Sequence, residues 1–351
     1  MPTDRPVFRW RPGEPEDTAL AARPLARRLA PLAACKLRPA AELVVEASAA
    51  CLEWARSRPP GWGGEGALEE WHAESEPFAA AHAWRAVPAR WLETLGRLLE
   101  WAAQDPALSP AELFAEELGL WLGGETGDGP NDSSRGPWNG EPLAPGARLP
   151  DRAACGAALL DGWLGGEEVL LHGPSTTVAL ALERAKELGL APRAIVSEGG
   201  PDLPGRRTAQ QLAARGIPVR LVHDGALFAA LPSADHVWLG TEAIAAHAFL
   251  GRCGTRALLR EARRLEVPSA LLATSDKVMP RGELALPAWC EEEEWMLWDV
   301  APEGVRVESQ FFETVPLDAV DDLATEAGRE RPAQLALRSL PTASRPALPA
   351  N

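Results

Sequence analysis

Lysine is nearly missing from this chain of 351 residues: Lys36, Lys186 and Lys277 are the only lysines among 35 basic side chains, and arginine supplies the rest. Against 50 acidic residues this leaves a net charge of -15. No cluster of cations is available to neutralise a phosphate backbone or an anionic bilayer, so direct binding to nucleic acid or membranes is not expected. Cysteine is sparse as well. Cys35, Cys51, Cys155, Cys253 and Cys290 form no C-x-x-C pair, and no His stands at zinc-finger spacing. Neither a disulfide framework nor a metal site is expected, and a reduced cytoplasmic compartment fits. Long apolar runs are also lacking. The segment Met1 to Pro6 has no signal-like apolar stretch and no later run reaches the length of a membrane span. A Walker loop, a zincin motif, a nucleophile elbow and a dinucleotide fingerprint are all missing, which removes the usual support for nucleotide hydrolysis, metalloproteolysis and hydride transfer. No cofactor is called for.

What is present is enough apolar residue, 46% of the chain, for a sizeable core. Residues 16 to 122 read as helices. Ala41 to Ala55, Pro88 to Ala103 and Ser109 to Leu122 carry apolar residues at three- and four-residue spacing, and Ser109-Pro110-Ala111-Glu112 is a capping-box start. Trp54, Trp91 and Trp101 are expected to pack this bundle. From Gly123 to Pro150 the composition turns to Gly, Asp, Asn, Ser and Pro, a linker. Asp151 to Trp163 restores a helical pattern, after which short apolar runs alternate with helices. Strands are expected at 167–172, 193–197, 218–223, 236–240 and 268–273, and helices at about 176–189, 206–215, 225–231 and 255–265. The fold class that follows is α/β: a helical domain over 1–122, a linker over 123–150, a Rossmann-like three-layer sandwich with a mainly parallel sheet over 151–328, and a disordered tail over 329–351.

The most informative segment is Glu167 to Arg184. An apolar run, Val169-Leu170-Leu171, stops at His172-Gly173-Pro174-Ser175-Thr176-Thr177, where an amphipathic helix begins. A strand, a tight turn and a hydroxyl-capped helix start aim backbone N–H groups at one point, an anion pocket. In an open parallel sheet ligands sit beyond the carboxyl ends of the strands. The residues there are His172 to Thr177, Glu198 to Pro201, Asp224-Gly225, Thr241-Glu242 and Thr274 to Asp276. Glu198, Asp224 and Glu242 could converge for proton transfer, or they could cap helices and brace loops. His172, His223 and His247 stand between ligand contact and core packing in the same way. The run Glu291 to Glu294 reads as a solvated face.

Five segments, in order, resemble the alpha, beta and delta regulatory subunits of translation initiation factor 2B together with the methylthioribose-1-phosphate and ribose-1,5-bisphosphate isomerases. They are Leu171-His172-Gly173-Pro174-Ser175; Ser197-Glu198-Gly199-Gly200-Pro201 followed by Gly205; Gly216-Ile217-Pro218-Val219 leading to Asp224-Gly225-Ala226; Leu239-Gly240-Thr241-Glu242-Ala243-Ile244 followed by Gly254-Thr255; and Phe312-Glu313-Thr314-Val315-Pro316-Leu317. The resemblance runs from about Asp151 to Gly328 and implies a small phosphorylated ligand and a homodimer through the C-terminal domain. Its isomerase branch implies a Cys after the first strand and an Asp after the fourth, and these positions are Gly173 and Glu242 here. A Gly cannot relay a proton, and Glu serves as base only if its extra methylene is accommodated. The family's E-S/T-R-P arginine is Gly200, and Arg252 alone keeps the charge of the lysine it replaces.

Two functions follow. Loss of the Cys favours a divergent, non-catalytic protein that binds a sugar phosphate or nucleotide through His172, Gly173, Ser175, Thr176, Thr177, Glu198, Asp224, His247, Arg252 and Thr255, and acts in regulation or assembly. The alternative is an aldose-ketose isomerase of a phosphorylated pentose, with Glu242 as base and His172, His247 or Cys253 as the acid.

Overall fold

The computed structural model describes residues 23–34, 40–59, 62–104, 109–123, 152, 154–279, 284, 296–298 and 300–332. Most of the expected linker lies outside these residues, as do Glu291 to Glu294 and the chain beyond 332. Two compact units are present, one holding most of the chain up to residue 128 and the other most of the chain from residue 150.

The first unit contains α1 (Pro24–Ala34), α2 (Ala40–Arg56), α3 (Gly64–His82), α4 (Ala86–Gln104) and α5 (Pro110–Gly123). Their apolar faces meet around Trp54, Trp71, Phe78, Trp91 and Phe114, all buried. Several of the rings meet edge to face, with Trp71 and Phe114 centroids 5.3 Å apart at 88°, the arrangement that suits their quadrupoles. Buried Glu74 of α3 accepts the Ala26 amide at 2.6 Å and so satisfies an open donor in the first turn of α1. Burial holds its carboxyl above the usual range. The Glu112 amide lies 3.4 Å from the Ser109 hydroxyl at the start of α5. Trp101 departs from expectation: it is 51% exposed on α4 and does not fill the core.

The second unit is built on a sheet of β1 (Glu168–Leu171), β2 (Arg193–Ser197), β3 (Val219–Val222), β4 (His236–Leu239), β6 (Ser269–Leu272), β8 (Asp322–Thr325) and β9 (Gly328–Glu330). Their order is β3-β2-β1-β4-β6-β8-β9, parallel except for β9. A second, antiparallel pair joins β5 (Ala248–Arg252) to β7 (Phe312–Pro316). Side chains alternate across the sheet. Leu170, Ile195, Val237 and Leu271 pack with α9 (Leu227–Ala230) and α10 (Thr255–Arg264). Val169, Leu171, Val196 and Leu272 pack with α7 (Thr176–Glu187) and α8 (Pro204–Ala214). Both faces of the inner strands are covered, which is why these strands read as apolar runs, whereas edge strand β3 is partly exposed and includes Arg220.

Three expectations are corrected here. Among the described residues of Asp151 to Trp163 the α-helix is limited to one turn, α6 (Ala154–Ala157), in which Gly156 packs against Ala181 of α7, and turns follow it. Arg329 and Glu330 are not tail but β9, paired with β8 by way of Leu323↔Glu330 and Ala324↔Arg329. The expected helix at 225–231 is divided into a 3-10 turn, Asp224–Ala226, followed by α9.

Candidate functional site

The strand order reverses between β1 and β4: β2 and β3 extend the sheet on one side, and β6 and β8 on the other. Such a switch point opens a crevice at the carboxyl edge. Its two walls approach closely at Gly240, where an added Cβ would lie 2.2 Å from the Ser175 hydroxyl. Glycine is required there for β4 to pass the turn after β1. Ser175 itself is extended (φ -153, ψ 115) and its hydroxyl accepts the Val178 amide at 3.2 Å, the N-cap of α7. Exposed Thr176 and buried Thr177 form the first positions of the helix, where amides point out of the helix end toward an anion.

His172 is buried and uses both ring nitrogens. Its Nε2 donates to the Cys253 carbonyl at 2.9 Å, which leaves Nδ1 to accept the Ser197 hydroxyl at 3.0 Å. Burial is the largest influence and pushes the ring below its ordinary pKa. This is a neutral, bracing histidine that ties β1, β2 and the end of β5 together. His247 is exposed just before β5, and its backbone carbonyl accepts the Leu317 amide at 2.9 Å. Cys253 is exposed, and partial burial with the Glu313 carboxylate raises its thiol, which disfavours a thiolate.

On the β2 side, Asp224 accepts the amides of Gly199 and Gly200 at 2.8 and 2.7 Å. The carbonyls of the same two residues receive Arg252 Nη2 at 3.2 and 3.4 Å. Arg252 is buried, ion-paired with Asp202, whose side chain is 3% exposed, and its guanidinium lies 5.5 and 5.3 Å from the ring centroids of Phe311 and Phe312. Glu198 faces outward to Arg206 at 3.3 Å. The buried Thr255 hydroxyl donates to the Arg252 carbonyl at 2.6 Å, and Glu313 accepts the Arg256 amide at 2.9 Å at the start of α10. Asp224, Arg252 and Thr255 are thus occupied in shaping loops, a use that chain position did not reveal.

On the β4 side, Glu242 meets a residue that sequence reasoning passed over. Lys277 Nζ lies 3.3 Å from Glu242 Oε2, with the Lys side chain 9% and the Glu side chain 21% exposed. Backbone bonds set the pair: Ile244 N donates to Lys277 O at 2.7 Å, and Met279 N to Ile244 O at 2.8 Å. The Thr241 hydroxyl, 2.8 Å from the carbonyls of Ala243 and Leu250, fixes the loop to β5. A signal was available: Lys277 follows the β6 run by a few residues and is one of only three lysines. A carboxylate and an ammonium at the lip of a crevice can move a proton and hold a charged oxygen. Among the described residues no group of His, Cys, Asp and Glu is arranged to hold a metal, and no helix is long and apolar enough to cross a membrane.

Residues 153–332 match the sequence profile of the Initiation factor 2 subunit family. The ribose 1,5-bisphosphate isomerase of Haloterrigena turkmenica is 34% identical over 181 residues, 48% of this chain and 55% of the relative. The protein of the same name from Archaeoglobus fulgidus is 31% identical over 172 residues, 46% and 53% of the two chains. The chain therefore spans about half the length of the curated relatives it matches. Among solved structures, the Pyrococcus horikoshii OT3 translation initiation factor eIF-2B superposes with a TM-score of 0.64 at 20% identity, covering 91% of this chain and 98% of that one. At that identity the likeness concerns the fold.

Proposed function

The chain belongs to the initiation factor 2 subunit family, and from that premise we propose that its carboxyl-edge crevice takes a phosphorylated pentose and interconverts the aldose and ketose forms. The Glu242–Lys277 pair carries this reading. Aldose-ketose interconversion moves a proton from C2 to C1 and develops charge on an oxygen between the two steps. For a pentose phosphorylated at O1, Lys277 gives a proton to ring O4 as the C1–O4 bond opens, and Glu242 takes the proton from C2 to leave a C1=C2 enol. Glu242 then returns that proton to C1 while the C2 hydroxyl gives its proton back to Lys277 and becomes the carbonyl, and the first turn of α7 receives the phosphate. The names of the relatives from H. turkmenica and A. fulgidus favour this isomerase reading over a non-catalytic one. The reading includes a reduced cytoplasmic setting and a homodimer through the second unit, to be measured by light scattering.

A second reading, binding without turnover, is favoured by one observation: position 173, where the family resemblance implies a Cys, is Gly. The two readings separate in one experiment. Ribose 1,5-bisphosphate is titrated calorimetrically and followed by phosphorus NMR with the native chain, Glu242→Gln and Lys277→Met. Isomerisation should occur with the native chain and fall by about 100-fold or more in Glu242→Gln. Binding without turnover would leave the second reading, and no heat with this or other pentose phosphates would remove both.

A further inference from the structure

Gly173 has a positive φ of 92°, and a Cβ built on it would lie 2.6 Å from Cγ of Arg252, with Cβ and Cδ of the same side chain at 3.6 and 3.7 Å. The obstacle is the arginine stem, not its flexible end. That stem has little freedom to withdraw. Its guanidinium is buried, ion-paired with the shielded side chain of Asp202, hydrogen-bonded to the carbonyls of Gly199 and Gly200, and faced by Phe311 and Phe312. A stem anchored at both ends cannot give by the several tenths of an ångström that a side chain at 173 requires.

We infer that Arg252 is a specificity-determining wall of the crevice and Asp202 its positioning residue: held by Asp202, the Arg252 stem occupies the volume any side chain at position 173 would need. The crevice therefore meets its ligand on the β1 side with backbone and a neutralised guanidinium. No thiol or other proton carrier can enter from β1 while Arg252 is in place, and proton movement falls to the β4 side. This inference rests on the proposed ligand site for its meaning, but its test reads position 173 without a ligand.

Melting temperatures are measured for Gly173→Cys, Arg252→Ala, Asp202→Asn and the double variants, and iodoacetamide labelling is located by peptide mass spectrometry so that exposed Cys253 does not confuse the count. Gly173→Cys should melt well below the native chain, and Gly173→Cys with Arg252→Ala should regain at least half of that loss, the remainder being left-handed backbone strain. Asp202→Asn should rescue Gly173→Cys partly, by releasing the guanidinium, and Asp202→Glu should not. Labelling at position 173 should appear with either rescue. If Gly173→Cys does not accumulate in soluble form, Gly173→Ala presents the same Cβ and replaces it in the melts. Strictly additive losses in melting temperature, or ready labelling of Gly173→Cys with Arg252 intact, would overturn the inference. Absence of isomerase turnover in the native chain would instead count against the proposed function and leave these outcomes unaffected.

Discussion

At the scale of single residues, the crevice depends on contacts that leave no slack. Gly240→Ala places a methyl 2.2 Å from the Ser175 hydroxyl and should cost about 1–3 kcal/mol, read as a lower urea midpoint with an unchanged slope. His172 makes a pH prediction. Its folded pKa lies below the ordinary 6.5, chiefly through burial, while the Cys253 carbonyl and Asp224 pull upward and Arg252 pushes down. The unfolded ring takes up its proton first on acidification. The contribution of His172 is therefore complete above about 6.5 and is lost as pH falls through the lowered folded value. Urea midpoints near pH 7.5 and about pH 5.5 should differ less for His172→Gln than for the native chain; equal differences would remove this ring as the source. The positions of His172 and Glu242 were legible, because His172 follows an apolar run directly and Glu242 stands three residues beyond the end of another. Their partners were not: Ser197 is 25 residues from His172, and Lys277 is 35 from Glu242. Those pairings follow from strand order, which residue spacing does not encode.

At the scale of elements, the N-cap of α7 is the simplest contribution to isolate. Ser175→Ala leaves the Val178 amide without its acceptor and should cost about 1 kcal/mol in thermal unfolding, with most of the loss avoided in Ser175→Asp. The five strands expected from sequence appear within one residue of their bounds because the inner strands are covered on both faces and read as apolar runs, while edge strand β3 keeps only a partial signal around Arg220. The β5–β7 pair escaped that signal. Ala248–Arg252 contains Gly251 and ends in a charge, Phe312–Pro316 contains Glu313 and closes on Pro, and the two form a pair apart from the main sheet. Yet this pair delivers Arg252 to the crevice, so the least legible strands carry the residue that shapes it most.

At the scale of the whole chain, the two units hold separate apolar cores, one rich in Trp and Phe and one rich in Leu, Val and Ile. Trp71 is fully buried in the first and touches Phe114, Trp54 and Trp91. Trp71→Ala should remove about 3–5 kcal/mol from the unfolding of the helical unit. Calorimetry that shows one transition moving while another stays would establish that the units melt separately; a single transition displaced as a whole would show that they melt together.

The turn at Gly199 and Gly200 brings its own anion. With both amides on Asp224 and both carbonyls on Arg252, its hydrogen-bonding groups are answered from within the fold, and nothing there waits for a guest to become ordered. A ligand arriving at the crevice meets a wall already set, and its affinity is not reduced by the entropy of arranging that wall.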